Sequence, residues 1–318
     1  MTMELLIANK RTGQIWEVYN CVEEATWTTN RTGSPGKFEF TLIKSGNIAF
    51  LEGDIVRFSV DGQLQFYGWV FTKEKDRWGV IKVTCYDRLR YFKANASYAF
   101  YDMTAGQIIQ QIAGDLQVDV GQIDDTGYAL PSYIKQDEGC LDIIGEAVQR
   151  TLLNTGKIFV FYDDGNGVAL QEAGNMIIGE KSLLTDYAYK TDIDSQTYNY
   201  IKLARPNEST GLWETFVAED SNNIAQWGLL QLYQTVDSDA NDAQIQAQAQ
   251  ASLEYYNRRM RTLKVESMGV PGLRAGQMVL MKVPDLGDIN LDQYVLLEKV
   301  THTWKNEVHT MEFDTLAI

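Results

Sequence analysis

Apolar residues at every second position are the feature that most constrains what this chain can fold into. In Lys37-Phe-Glu-Phe-Thr-Leu42 the alternation puts Phe38, Phe40 and Leu42 on one side, and Asp54-Ile-Val-Arg-Phe-Ser-Val60 does the same with Val56, Phe58 and Val60. A period of two marks a strand with one face buried. Asp61-Gly62 is a hairpin turn signal, Leu64 to Thr72 reads as the returning strand, and Trp78-Gly79 leads into another from Val80 to Tyr86. Short strands at this spacing favour a small antiparallel barrel or sandwich over a parallel sheet. Val83-Thr-Cys-Tyr-Asp-Arg-Leu-Arg-Tyr-Phe-Lys93 closes this block, and Val300-Thr-His-Thr-Trp-Lys-Asn-Glu-Val-His-Thr-Met-Glu-Phe313 closes a second one at the other end of the chain.

Between the two blocks the period changes. Thr104-Ala-Gly-Gln107 has the form of a capping box, and Ile108, Ile109, Ile112, Ala113 and Leu116 follow at helical spacing. A second helix is predicted from about Cys140 to Asn154, striped by Leu141, Ile144, Val148 and Leu152, with Gly156 where a left-handed cap belongs. Lys157 to Tyr162 and Val168 to Gln171 then form a hairpin around Asp163-Asp-Gly-Asn-Gly167. Strand character returns at about Tyr187, Asn199 to Ala204 and Trp213 to Val217. A long helix over about 242–261 interrupts it, apolar at Ile245, Ala249, Leu253, Tyr256 and Met260. Arg258, Arg259 and Arg261 fall in its last turns, where cations complement the helix dipole. Strands over Gly276 to Val283, Gln293 to Thr303 and Glu307 to Thr315 close the chain. The expected class is α+β, mainly β.

Composition bounds the function. The chain has 318 residues, 45% of them hydrophobic, enough for about two domains or three small ones. No apolar run approaches the ~18 residues of a membrane span, and Met1-Thr-Met-Glu-Leu-Leu6 does not start like a signal peptide, so synthesis and retention in a cytoplasm are expected. Cys21, Cys85 and Cys140 are too few and too irregular for a disulfide framework or a thiolate metal site and read as buried free thiols. A net charge of −15 argues against a protein that grips nucleic acid by neutralising phosphates. The charge is uneven. Residues 1–93 carry 13 Lys and Arg against 11 Asp and Glu, whereas residues 94–318 carry 15 against 32. Two differently charged faces imply two kinds of neighbour.

Catalytic signatures are missing: there is no GxSxG, HExxH, phosphate-cradling loop or dinucleotide fingerprint, and the chain has 2 His. Cys140 opens a helix, where the dipole can activate a thiol, but no base is paired with it in sequence and a buried thiol is the plainer reading. With Lys305-Asn306 at the turn centre, Trp304 pairs with Glu307 and His302 lies directly opposite His309. Two imidazoles on one sheet face could hold a metal only with a further ligand such as Glu298; otherwise they pack as a cross-strand pair. The Asp163 loop fails the EF-hand spacing. Asp124-Asp125 and Asp192 with Asp194 offer glycosidase-like carboxylate pairs, or turn residues on an acidic surface. Aromatic side chains, 7 Trp and 17 Tyr among them, suit sugar stacking, core or subunit interfaces. No cofactor is expected.

The two closing stretches, with Tyr101-Asp-Met-Thr-Ala-Gly-Gln-Ile-Ile109, Glu219-Asp-Ser-Asn-Asn-Ile-Ala-Gln-Trp-Gly-Leu-Leu-Gln231 and Arg274-Ala-Gly276, resemble the XkdQ/YqbQ family of phage tail proteins. This is the baseplate hub family of contractile tails, defective prophages and phage-tail bacteriocins. The resemblance implies two tube-like antiparallel β-barrel domains, residues 1–93 and 186–318, bracketing a small α+β domain, 94–185, with the long helix inserted in the second barrel. It further implies a homotrimer whose six barrels make a ring between a hexameric tail tube and a trimeric spike or needle. Expected partners are the tail tube, spike, baseplate wedge, LysM-type tail and tape-measure proteins, in a virion tail or tail-like particle assembled in the bacterial cytoplasm. No catalytic residue carries over. Arg88, Arg90, Lys93, Arg258, Arg259 and Arg261 are the candidate interface residues, and the acidic second half is a candidate lumen lining. The alternatives are a tail-associated cell-wall hydrolase and a glycan-binding tail module.

Overall fold

A computed structural model describes residues 1–43, 48–178, 184–207, 211–236, 240–286 and 289–316. The first block contains β1 (Met3–Ala8), β2 (Ile15–Glu17), β3 (Val22–Asn30), β4 (Lys37–Ile43), β5 (Ile55–Val60), β6 (Gln63–Lys75) and β7 (Val80–Tyr86). Its alternation is realised: Phe38, Phe40 and Leu42 of β4 and Val56, Phe58 and Val60 of β5 are buried in one core. Asp61 and Gly62, both at positive φ, make the tight turn between β5 and β6. The closing stretch is strand only as far as Tyr86. Asp87 accepts the Leu89 N–H and starts a 3-10 helix over Arg88–Lys93, so the three basic residues lie beyond the sheet.

The middle block comprises β8 (Asn95–Thr104), α1 (Ala105–Asp115), β9 (Val120–Ile123), β10 (Ala129–Gly139), α2 (Cys140–Thr155), β11 (Phe159–Asp163) and β12 (Val168–Glu172), followed by β13 (Ile177–Ile178). Both halves of the Thr104–Gln107 capping box form, and Gly156 caps α2 at φ 72°. Both helices bury their apolar stripes in a separate core with Phe92, Phe100, Tyr133 and Phe159.

The last third holds β14 (Leu184–Asp192), β15 (Tyr200–Asn207), β16 (Leu212–Glu219), α3 (Ser221–Trp227), β17 (Gln231–Thr235), α4 (Asp242–Tyr256), β18 (Met260–Met268), β19 (Met278–Val283), β20 (Leu291–Lys305) and β21 (Val308–Leu316). The long helix is shorter than expected and ends at Tyr256. Asn257 stops it, bonded through its side chain to Asn223 and Asp220, and β18 begins at Met260. Arg258 and Arg259 therefore follow the helix and Arg261 lies in β18, so none of them neutralises its last turn. The helix also has its own sheet to cover: Ile245, Ala249 and Leu253 pack on Ile201 and Leu203 of the three-stranded β16-β15-β17 sheet.

The largest departure from expectation is how the two β blocks meet. Strand β20 pairs antiparallel with β3, from Lys299 opposite Asn30 to Lys305 opposite Glu24. The two blocks thereby share one 13-stranded sheet, whose main path runs β14-β18-β21-β20-β3-β4-β7-β6-β5-β1-β2. Among the described residues this path is open, with β14 and β2 at its ends, and main-chain pairing does not separate two barrels. Trp304 of β20 is buried within the core of the first block.

Candidate functional site at the block junctions

Two junctions bring together the buried polar and charged side chains His302, His309, Arg88, Asp87, Asp163 and Arg274. The first is built on the β20–β21 hairpin. Asn306 and Glu307, both at positive φ, form its two-residue turn, so Lys305 pairs with Val308 and Trp304 with His309. His302 faces Met311, one register step from direct opposition to His309. Both histidines stay on the inward face as diagonal neighbours, with His302 Nδ1 2.8 Å from His309 Nε2.

The proton positions follow from the partners. His302 Nε2 lies 2.7 Å from the Leu273 carbonyl, which only accepts, so that nitrogen carries the hydrogen and Nδ1 must accept. His309 Nε2 therefore donates to His302, and its buried Nδ1 has no partner among the described residues. His302 is stacked between Trp27 at 5.3 Å and Trp304 at 5.4 Å, and Trp304 meets Phe58 edge-on at 4.7 Å. Burial holds His302 down at about 3 and His309 at about 4, so both are neutral. Glu298 binds Arg31 instead of approaching the pair, and among the described residues no group of three or more His, Cys, Asp or Glu is placed to hold a metal ion. The pair is an aromatic seam between β3 and β20.

The second junction is charged. Arg88, 7% exposed, donates from Nη1 to Asp163 Oδ1 at 3.0 Å and Oδ2 at 3.2 Å, and its backbone N–H adds a bond of 2.9 Å to the same carboxylate. Its guanidinium lies over Tyr67 and Trp69. Arg274 arrives from the third block, over the Tyr162 ring at 4.1 Å, and donates to the Asp163 carbonyl at 2.6 Å. Asp87 accepts from Gly36 and Leu89 N–H groups; even so, burial and the neighbouring Asp163 charge raise its pKa well above the usual carboxylate range. Gly276 closes the approach at φ 91°, where a Cβ would stand 2.4 Å from Val160.

These contacts reassign several predicted residues. Arg88 is committed to Asp163 of its own chain, so it is no free interface cation. Arg90 is half-buried over Phe71, while Lys93 is exposed. Arg258 lies over Tyr255, Arg259 is exposed and Arg261 is half-buried. Cys140 is enclosed in the middle core, where burial raises its thiol pKa, and both histidines are taken up by the seam. Asp124 accepts Glu172 N–H, Asp125 accepts Gly127 N–H, and Asp192 accepts Asp194 and Ser195 N–H groups beside Lys190. They are turn carboxylates. In the Asp163 loop, Asp163 and Asp164 spend oxygens on the loop's own N–H groups. Asp87, Asp163, Trp27 and Trp304 were not legible as junction residues; the only signal for Arg274 was its place in the Arg274-Ala-Gly276 run.

A family model for YQBQ-like proteins matches residues 25–315, which spans both junctions. The chain belongs to the YQBQ-like family. It is 28% identical over 305 residues to the phage-like element PBSX protein XkdQ of Bacillus subtilis strain 168, covering 92% of each chain. Over 273 residues it is 29% identical to YqbQ of the same organism, covering 83% of this chain and 81% of that one. The fold of this YQBQ-like chain is also that of a tail protein from Neisseria meningitidis MC58, with a TM-score of 0.71 at 14% identity over 100% of this chain and 97% of the other.

Proposed function

We propose that this chain is a non-enzymatic baseplate hub of a contractile phage tail or tail-like particle, three copies of which form a ring of pseudo-sixfold symmetry joining a hexameric tail tube to a trimeric spike. The observation that carries the reading is the outward face of β18, β21, β20, β3, β4 and β7. Its middle is a carpet of threonine and paired charge. Thr28 opposes Thr301, Thr26 opposes Thr303 and Thr303 opposes Thr310, while Lys37–Glu39, Lys264–Glu312 and Lys305–Glu24 pair at 2.8, 2.9 and 2.6 Å. Threonine keeps β-propensity without offering apolar surface, and paired ions leave little net field. Such a face suits a lumen through which a polymer slides without sticking, and its charge is compensated instead of acidic. The two blocks would be the two tube-like units, and the middle block with the β15–β17 sheet would face the spike, wedge, LysM-type and tape-measure proteins.

Both imidazoles and the Cys140 thiol are taken up inside the molecule and the carboxylate pairs serve the N–H groups of turns, which supports a role without catalysis. Among the described residues no helix is long and apolar enough to cross a membrane. The test is to co-express the tagged chain with the proteins encoded beside it and image what co-purifies. Threefold rings seated between tube and spike are expected. Clearing of purified cell wall by this chain alone, or co-purification with no tail component, would overturn the proposal.

A further inference from the structure

Beside the β2 edge, a cleft of about 450 Å³ opens between the β1–β2 turn, residues 48–51 and the far end of β6. Among the described residues its lining includes Arg11, Lys73 and Lys75 and no Asp or Glu, in a chain whose net charge is −15. Trp16 and Phe50 give it an aromatic floor. The walls are built, not draped. Buried Asp54 receives Asn9 Nδ2 at 3.1 Å, Lys10 N at 3.0 Å and Leu51 N at 2.8 Å, tying the turn to the 48–51 segment. Lys73 bonds the Phe50 carbonyl at 2.7 Å and lies over its ring. Arg11 and Lys75 are exposed and form no ion pair among the described residues.

We infer that this cleft receives the β14 edge of a second copy of the chain, an inference that rests on the ring reading above. Strand β14 is the opposite end of the same sheet path and, among the described residues, pairs on one side only, with β18. Residues 185–188 are exposed, an uncovered edge of the kind that seeks a partner. Asp186 forms no ion pair among the described residues, Asp194 follows shortly after, and Tyr187 is 41% exposed. A cationic cleft with an aromatic floor therefore meets a strand edge offering the Asp186 carboxylate and Tyr187. Because the two surfaces differ, the contact is heterologous, and such a contact closes a ring when its rotation closes, as the ring reading requires. Charge complementarity would set its register and partner choice.

The test uses the full chain, with equal parts isotope-labelled and unlabelled, a zero-length amine–carboxyl crosslinker, and sedimentation velocity across concentration. The expected result is an intermolecular crosslink from Lys75 to Asp186 or Asp194. Arg11→Glu with Lys75→Glu should weaken self-association by about ten-fold or more, and Asp186→Lys should restore part of it in the same chain. Circular dichroism and melting of each variant report folding, so loss of association is read only from folded protein. Lys75 crosslinks confined to one chain, reversals that leave association unchanged, or binding of a DNA oligonucleotide in the cleft would overturn the inference. Self-association that is absent at every concentration would do so too. The hub reading is scored separately, by co-purification with tail components.

Discussion

The two junctions work by opposite physics, the β3–β20 seam joining the first and third blocks and the Arg88–Asp163 junction tying both to the middle one. On the inward face of the β3–β20 seam the polar groups are uncharged: two neutral histidines share their hydrogens along a chain that ends on the Leu273 carbonyl, between tryptophans. At the Arg88–Asp163 junction charge is buried outright and tolerated because each partner is multiply bonded. The difference shows in pH. The seam histidines have folded pKa values below their unfolded ones, so their contribution is complete above about 6.5 and is lost as pH falls toward 4 and 3. Asp87 is raised, so its contribution is complete at low pH and lost as pH rises through its folded value. One junction weakens as pH falls and the other as pH rises.

Asp163→Ala should have the largest effect, because it leaves Arg88 buried without its anion. A loss of about 3–5 kcal/mol is expected in denaturant unfolding at neutral pH. A loss under about 1 kcal/mol would mean that the charged junction contributes specificity and no stability. Next comes acid. Stability should fall below pH 6.5 by about 1.4 kcal/mol per pH unit for each histidine that stays neutral, and His309→Phe should flatten that slope. An unchanged slope in the variant would assign the acid limb to carboxylates elsewhere. Gly269→Ala probes the seam sterically. Its Cβ would stand 2.1 Å from the His309 ring, and a loss of about 1–3 kcal/mol by thermal melting is expected, with hydrogen exchange rising in β3 and β20. Thr104→Ala, outside both junctions, removes one half of the α1 capping box and should cost about 1 kcal/mol without changing the pH profile. A changed profile would couple the helix to a junction.

Much of the local structure was legible from neighbours. The alternation of β4 and β5, the Asp61-Gly62 turn, the Thr104–Gln107 box and the Gly156 cap each depend on residues within a few positions. The β20–β21 register was misjudged by one step, since Asn306-Glu307 can take the left-handed conformation in place of Lys305-Asn306. Arg88 looked like surface charge because its partner Asp163 lies 75 residues away.

By itself the sequence determined periods, caps, turns and the imbalance of charge between its two parts, all of which are short-range or additive properties. Only the tertiary structure decided that β3 and β20 pair, that α4 covers its own sheet, and that two histidines and an arginine serve inside the molecule. Those outcomes depend on which apolar face and which buried charge remain unsatisfied once local structure has formed, and only distant residues can satisfy them.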